Sequence, residues 1–273
     1  MKLHHLLTVA LVAVGCRASA PGSRSLAVAL ASGSWVDLSY SFDSSTIYWP
    51  TAQPFHLQVV SAQRTPGGWY YAANNFAAAE HGGTHLDAPV HFAEGRHTTD
   101  QVPLEQLIGP AVVVDLTAQV AREGADYLIT PAALEAAGLD SAAGMIVLFR
   151  TGWGSRWPDR LRYLGTTKTG QAAVPELHFP GIHPNAARWL RDRHVRAVGI
   201  DTPSIDYGQS QTFETHQILL GADIPAFENV AHLEQLPARG AFVVALPMKI
   251  AGGSGGPLRM VAWVGRSEAG ASP

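Results

Sequence analysis

Three histidines and one aspartate stand within eleven residues in the stretch EHGGTHLDAPVHF, which runs from Glu80 to Phe92. Imidazole nitrogens and carboxylate oxygens are side-chain atoms that bind zinc and manganese ions. Gly82, Gly83 and Pro89 disfavour a continuous helix, so the histidines are not expected on successive turns of one. The stretch therefore predicts a divalent-metal site built on a loop and an extended segment.

The spacing of these residues predicts how they meet. In an extended segment, residues two positions apart face the same side. His85, Asp87 and His91 are therefore expected to share one face, and a turn at the two glycines would fold His81 back beside them. An ordinary hydrogen-bonded histidine is the alternative for any single position. Four metal-capable side chains at this spacing favour a shared ion.

A second cluster lies in ETHQILLGADIPAFENV, between Glu214 and Val230. His216 and Glu228 stand twelve residues apart, with a short apolar helix predicted between them. Glu214 and Asp223 are equally suitable ligands by residue type. The spacing alone leaves the choice between these residues open.

Composition limits the chemistry. Cys16 is the only cysteine in 273 residues, so the body has no disulfide framework, no thiolate metal site and no cysteine nucleophile. Any metal must be held by nitrogen and oxygen. The formal net charge of −3, without a basic run, gives no reason to expect nucleic acid or an acidic membrane as partner.

The first twenty residues have the pattern of a secretory signal peptide. Lys2 precedes an apolar run from Leu6 to Val14, and small residues follow it. The run is too short for a transmembrane helix; an N-terminal extension without a targeting role is the alternative. Cleavage before Pro21, or a lipobox-like cut that makes Cys16 the lipidated residue, would place the protein outside the cytosol.

Alternating β runs and helical segments predict one α/β domain with a mixed sheet and flanking helices. Thr130 is expected to cap a helix that starts at Pro131 and stops at Gly138, and a second helix is predicted over His183–Arg193. The predicted strands are Trp35–Phe42, Phe55–Ala62, a run ending near Ala78, Ala111–Leu116, Gly144–Gly152, Val195–Asp201 and the closing pair AFVVALPMKI and LRMVAWV.

Two aromatic stretches precede the histidine-rich motif. IYWP (residues 47–50) and WYY (residues 69–71) carry bulky rings. Core packing is the more common role of such residues, and we predict it for both. Lining of a pocket for an aromatic substrate is the alternative.

The motif HGGTHLDAPVHF resembles the H-x-G-T-H-x-D-x-P-x-H-F signature of the metal-dependent cyclase-type hydrolases, a group that includes bacterial kynurenine formamidase and isatin hydrolase. The resemblance continues through GIDTPSIDYG, THQILL, IPAFENV and LPMKIAGGSGGPLRMVA. It implies a single swivelling-type α/β domain over residues 35–267, in a protein that is usually a homodimer or larger homo-oligomer.

The resemblance also implies roles for individual residues. His91 matches the acid–base histidine of the family. His216 and Glu228 match the later histidine and glutamate ligands of the family, in preference to Glu214 and Asp223. The implied ligands of one or two zinc or manganese ions are His81, His85, Asp87, His216 and Glu228.

The reaction that follows is hydrolysis of an amide, formamide or lactam bond. A bound divalent cation lowers the pKa of water and polarises a carbonyl, and His91 can carry the proton to the leaving nitrogen. The resemblance makes an aromatic substrate such as N-formylkynurenine a candidate. A secretory start is unexpected for tryptophan catabolism, and the segment Arg156–Gly181 is an insert relative to the short kynurenine formamidases.

Two alternative functions have sequence support. GGSGG around Ser254 fits the G-x-S-x-G motif of serine hydrolases, but that motif needs a strand, a sharp turn and a helix. Pro257 and a β-like run follow instead, so we place Ser254 in a loop between strands, where a substrate contact is its other expected role. A secreted protein that binds metal or a small molecule without turnover is the second alternative, and the presence of His91 disfavours it.

Overall fold

The structure is a computed structural model that describes residues 26–139 and 142–265. The expected signal segment 1–20 and Cys16 lie outside these residues. Within the two described ranges, no helix has the length and apolar character needed to cross a bilayer.

The described chain alternates between strands and short helices. The strands are β1 Gly33–Asp37, β2 His56–Arg64, β3 Tyr70–Ala77, β4 His85–Asp87, β5 Ile108–Asp115, β6 Leu128–Ile129, β7 Ile146–Arg150, β8 Gly181–Ile182, β9 Ala197–Ile200, β10 Ala226–Glu228, β11 Arg239–Pro247 and β12 Gly255–Gly265. The α-helices are α1 Leu26–Ala31, α2 Leu104–Leu107, α3 Thr117–Glu123, α4 Pro131–Ala136, α5 Arg160–Leu164, α6 Pro184–Asp192 and α7 Glu214–Leu220. Short 3-10 helices cover Pro89–His91, Trp153–Arg156, Gln171–Glu176 and Leu233–Gln235.

Most of these strands form one mixed sheet in the order β1-β12-β11-β5-β7-β9-β10-β4. Strands β5, β7, β9 and β10 run parallel, and the other pairings are antiparallel. The long strand β12 pairs with β1 and β11, and its first residues, Gly255–Pro257, also pair with β4. This pairing closes the sheet into a barrel-like ring and confirms the predicted α/β fold with a mixed sheet.

The parallel strands separate two apolar layers. Val112, Val147 and Val198 point to one side and pack with residues of the helices. Their neighbours Ile146 and Leu148 point to the other side and pack against β11 and β12. Both faces of these strands are buried, which explains why their sequences are continuous apolar runs rather than alternating ones.

The two helices whose ends were predicted form as expected. The Thr130 hydroxyl accepts a hydrogen bond from the Ala133 amide at 3.4 Å, and Pro131 is the first residue of α4. Gly138 has a φ of 67° just beyond this helix, in the left-handed region that favours glycine. Helix α6 begins at Pro184.

The first predicted strand is shorter than expected, because β1 ends at Asp37 instead of Phe42. The Asp37 carboxylate accepts a hydrogen bond from the Ser39 amide. The Tyr40 amide donates to the Thr84 hydroxyl at 2.9 Å rather than to a neighbouring strand. These side-chain contacts turn the backbone out of the sheet.

The prediction that the WYY stretch packs in the core is wrong. Strands β2 and β3 form a separate two-stranded hairpin, and WYY lies at its tip. Trp69, Tyr70 and Tyr71 are 64%, 62% and 53% exposed. The stretch IYWP, by contrast, is buried or half-buried.

The segment Arg156–Gly181, which we expect to be an insert, is part of the same domain. It contributes α5 and a 3-10 helix, and it places Tyr163 and Phe179 fully inside the core. The Tyr163 hydroxyl reaches the centre of the molecule, where it donates to the Asn229 side chain at 2.8 Å.

Candidate metal centre

Strand β4 carries two of the predicted ligands. His85 and Asp87 are two residues apart in this strand and are almost completely buried. The strand lies between β10 and β12, and its pairing with β10 places Glu228 opposite His85. The pairing of strands alone therefore positions three candidate ligands, namely His85, Asp87 and Glu228.

The glycine turn returns His81 to the same point, as the sequence predicts. Gly83 has a φ of 58°, and a Cβ on Gly82 would lie 2.0 Å from the Tyr48 ring. Both positions therefore require glycine. The turn places His81 Nδ1 2.7 Å from Asp87 Oδ1.

His91 lies on a different structural element from the one expected. The extended segment ends at Asp87, and Pro89 starts a 3-10 helix that carries His91, because its fixed φ suits the first position of a helix. The His91 ring stacks on the His81 ring, with 3.8 Å between centroids and 19° between planes. The predicted shared face on one strand is wrong, but His91 does lie at the site.

The second cluster is also brought to this point. His216, on helix α7, places Nε2 3.1 Å from Asp87 Oδ2 and 3.2 Å from Glu228 Oε1. Glu214 and Asp223 face elsewhere and pair with arginines. The docking of α7 thus brings His216, and not Glu214, to the centre, where the pairing of β10 with β4 already holds Glu228.

The ligand candidates form two groups that share one carboxylate. Asp87 Oδ1 faces His81 and His85, and Asp87 Oδ2 faces His216. Within each group the potential ligand atoms all lie within 4.8 Å of one another. Zinc–ligand bonds of roughly 2.0–2.1 Å place neighbouring tetrahedral ligands about 3.3 Å apart, close to the 3.3 Å between His85 Nε2 and Asp87 Oδ1. Each group therefore offers a set of ligands for a divalent cation, and Asp87 belongs to both groups.

The outer nitrogens of two imidazoles are fixed by acceptors. His85 Nδ1 donates to the Gly83 carbonyl at 2.9 Å, and His216 Nδ1 donates to Asp206 Oδ2 at 2.6 Å. Each Nε2 lone pair is therefore directed inward, as in metal-binding histidines. His85 Nε2 is buried and has no hydrogen-bond partner among the described residues, so the residues present fit a cation at this point.

The centre holds an excess of buried negative charge. Burial and the neighbouring Asp87 raise the pKa of Glu228. Burial acts to lower the pKa of His216, but hydrogen bonds with Asp206, Asp87 and Glu228 hold it well above its usual value. Buried acids of this kind need a compensating cation, either a proton on the imidazole or a metal ion.

His91 has the opposite electrostatic character. Burial lowers the pKa of His91 to about 4, although the Asp87 carboxylate opposes the shift. The imidazole is therefore neutral at ordinary pH and has a lone pair with which to accept a proton.

A cavity of about 290 Å³ opens above the metal centre. Ile47, Tyr48 and Trp49 line one part of it, which gives the IYWP stretch both of the roles considered for it. Phe92 and Phe213 line another part, with 5.4 Å between their ring centroids. An apolar cavity with polar groups at one end is the usual form of a small-molecule site.

Some residues that support the ligands carry no recognisable signal of this role in the sequence. Asn229 donates to the Gly83 carbonyl at 2.7 Å and accepts from Tyr163. Asp206 lies in the GIDTPSIDYG motif, but only its bond to His216 shows its role. Asn229 directly follows Glu228 and is buried, and its partner Gly83 is 146 residues away. No local pattern connects the two.

Ser254 lies in a loop just before β12, as predicted. Its Oγ is 2.9 Å from His81 Nε2, a contact that the sequence did not indicate. Gly255 follows, and a Cβ there would lie 2.5 Å from His81 Cε1. The strand that closes the barrel thus also packs against a ligand.

Comparison with known proteins identifies the family of this chain. The profile of the Cyclase family, described as "Putative cyclase", matches residues 36–207. The chain belongs to this family. The matched region includes the whole histidine-rich motif and the β7–β9 part of the sheet.

Two named relatives can be aligned with most of this chain. An isatin hydrolase of Roseibium aggregatum is 33% identical over 208 residues, covering 72% of this chain and 76% of the relative. A kynurenine formamidase of Salinibacter ruber is 31% identical over 230 residues, covering 83% and 95%. The solved structure of isatin hydrolase A from Ralstonia solanacearum superposes with a TM-score of 0.77 at 35% identity, covering 90% of this chain and all of that one.

We expect Asn229→Ala to destabilise the metal-free protein by about 1–3 kcal/mol, because a buried polar network loses a member. Urea denaturation followed by circular dichroism would measure the change. Asn75→Ala, at an exposed position of β3, is the control and should shift the free energy of unfolding little. Equal effects of the two substitutions would contradict the role given to Asn229.

Proposed function

We propose that this protein is a metal-dependent hydrolase that uses water to cleave an amide, formamide or lactam bond in a small aromatic substrate. The observation that carries this proposal is the pair of ligand groups sharing Asp87 at the base of an apolar cavity. The relatives named isatin hydrolase and kynurenine formamidase support hydrolysis of a non-peptide C–N bond.

The same residues define how a metal would be held. His81, His85 and Asp87 would bind one zinc or manganese ion, and Asp87, His216 and Glu228 would bind a second. A divalent cation in such a site supplies Lewis acidity and lowers the pKa of water. Residues 26–139 and 142–265 contain no cysteine, so nitrogen and oxygen are the complete donor set of this site.

His91 is the residue placed to move a proton. It lies beside the ligands without occupying a ligand position, and burial keeps its imidazole neutral. It can accept a proton from the attacking water and deliver it to the leaving nitrogen. The rings of Trp49, Phe92 and Phe213 would hold an aromatic substrate against this edge of the centre.

Metal analysis coupled to a substrate panel tests the proposal. Purified protein should contain one or two zinc or manganese ions per chain, hydrolyse at least one member of a panel of formamides and lactams, and lose this activity with a chelator. Restoration by added zinc or manganese is the control. Full activity in rigorously metal-free protein would contradict the mechanism, and bound metal with no turnover across the panel would favour a binding protein.

His91→Ala should separate turnover from metal binding. Loss of the proton carrier should lower kcat by about 10²- to 10⁴-fold, with a smaller change in KM, because proton transfer occurs on the way to the transition state. Metal content should remain near the wild-type value. His85→Ala should lose metal and activity together. If His91→Ala also lost the metal, His91 would be a ligand.

We further propose that the protein is a homo-oligomer assembled through the β2–β3 hairpin. Leu57 and Val59 on β2 lie on the same hairpin face as Tyr70 and Phe76 on β3. Each of the four is more than half exposed. A two-stranded hairpin that leaves an apolar face in water is marginally stable by itself. We therefore infer that another apolar surface packs against this face.

A second copy of the chain suits this face better than a charged partner. Among Asp, Glu, Lys and Arg, the segment 56–77 contains only Arg64, so self-association meets little charge repulsion. Several large apolar side chains of the hairpin are exposed, and homodimer interfaces are enriched in such side chains. These side chains are Leu57, Val59, Val60, Trp69, Tyr70, Tyr71 and Phe76.

Substitution on one face of the hairpin tests this assembly. We expect the double variant Val59→Lys/Tyr70→Lys to be monomeric in light scattering at micromolar concentration, where wild type is oligomeric. Gln58→Lys/Gln63→Lys, which adds the same charge on the opposite face, should remain oligomeric. A monomeric wild type, or binding of the hairpin face to neutral lipid vesicles instead of to another copy, would overturn the assignment.

We also propose an extracytoplasmic location, on the basis of the signal-like residues 1–20. Mass spectrometry of protein from the native cell should find a mature N-terminus beyond this segment, in a fraction outside the cytosol. Incorporation of a labelled fatty acid would show lipidation at Cys16. Cytosolic protein that retains Met1 would contradict this proposal.

A further inference from the structure

The Glu80 carboxylate makes three contacts with the loop before β12. Its Oε2 atom accepts hydrogen bonds from the Ser254 amide at 2.9 Å and the Gly255 amide at 3.2 Å. The Ser254 hydroxyl lies 2.7 Å from the same atom. Backbone amides can only donate, so Oε2 is an acceptor, and the Ser254 hydroxyl must direct its proton to Glu80.

Donation from Ser254 to Glu80 also determines the direction of the hydrogen bond between Ser254 and His81. A hydroxyl has one proton, so Ser254 Oγ can only accept from His81 Nε2, which lies 2.9 Å away. In the neutral imidazole, Nε2 then carries the proton and Nδ1 carries the lone pair. Asp87 Oδ1 lies 2.7 Å from His81 Nδ1, which is a hydrogen-bond distance, and a cation held by these two atoms would take the place of the proton between them.

His81 needs such a device, whereas the other imidazole ligands do not. The outer nitrogens of His85 and His216 face a carbonyl and a carboxylate, which accept hydrogen bonds. The outer nitrogen of His81 faces a hydroxyl, which can either donate or accept. Without Glu80, the hydroxyl could donate to His81 Nε2, and His81 Nδ1 could then give its proton to Asp87.

We propose that Glu80 is a positioning residue that sets the tautomer of His81 for metal binding, acting through Ser254. This inference rests on the proposed metal-dependent function. Ser254, His81 and Asp87 stand at the distances of a serine-hydrolase triad, in which serine donates to histidine and histidine donates to aspartate. Glu80 sets the opposite proton direction, so the same three side chains serve a metal centre.

Zinc affinity measured by competition with a chromogenic chelator tests the role of Glu80. Glu80→Ala should weaken zinc binding by about 10- to 100-fold, the usual effect of losing a partner of a ligating histidine. Glu80→Gln should retain most of the affinity, because its amide oxygen can accept the same three hydrogen bonds. Glu94→Ala removes an exposed carboxylate nearby in the sequence and should have no effect.

A second substitution distinguishes tautomer control from simple anchoring of the loop. Adding Ser254→Ala to Glu80→Ala removes the hydroxyl that would donate to His81, so the double variant should bind zinc more tightly than Glu80→Ala alone. A loop anchor predicts no recovery. In nitrogen-15 spectra of zinc-loaded wild type, one metal-bound imidazole should carry its proton on Nε2 and two should carry it on Nδ1.

The outcomes separate this inference from the proposed function. If wild type binds no zinc or manganese, the proposed function fails and this inference fails with it. If wild type binds zinc and Glu80→Ala binds it equally well, or Glu80→Gln loses as much affinity as Glu80→Ala, only the role of Glu80 is overturned. Thermal unfolding of the metal-free variants would identify any variant that is misfolded.

Discussion

The Asp87 carboxylate is the group on which the centre depends. It is 1% exposed, and both of its oxygens face imidazoles. A buried carboxylate is stable only when its negative charge is neutralised by a neighbouring positive charge. Imidazoles from several segments of the chain, or a cation bound by them, must therefore lie next to it. The closure of the barrel between β10 and β12 makes this arrangement possible, because β4 lies between the strand that carries Glu228 and the strand that follows Ser254.

The imidazoles around Asp87 also have hydrogen bonds on the nitrogen that points away from it. The Gly83 carbonyl accepts from both His85 and Asn229, and Asn229 in turn accepts from Tyr163. The segment that contains Tyr163 is therefore connected to His85 through the Tyr163 and Asn229 side chains and the Gly83 carbonyl. Such an outer layer fixes which nitrogen presents its lone pair, and this decides whether a histidine can bind a metal at all.

The position of His91 illustrates how one environment gives two histidines different chemistry. His216, among three carboxylates, has a raised pKa, whereas burial lowers that of His91. One imidazole is suited to hold positive charge and the other to accept a proton. Burial acts to lower the pKa of both imidazoles, so the difference comes from the carboxylates that are hydrogen-bonded to His216.

The sequence by itself determined the candidate ligand types, the apolar strands of the sheet and the shared face of His85 and Asp87, because these follow from residue chemistry and from local periodicity. Tertiary structure decided which acid stands at the centre in space: the family motif favoured Glu228 over Glu214, and the register of β10 and the docking of α7 bring Glu228 and His216 together there. It also decided the exposure of Trp69 and the contact between Glu80 and Ser254, which are 174 residues apart. Long-range pairing of this kind leaves no local pattern, since it depends on how the closed sheet brings distant segments together.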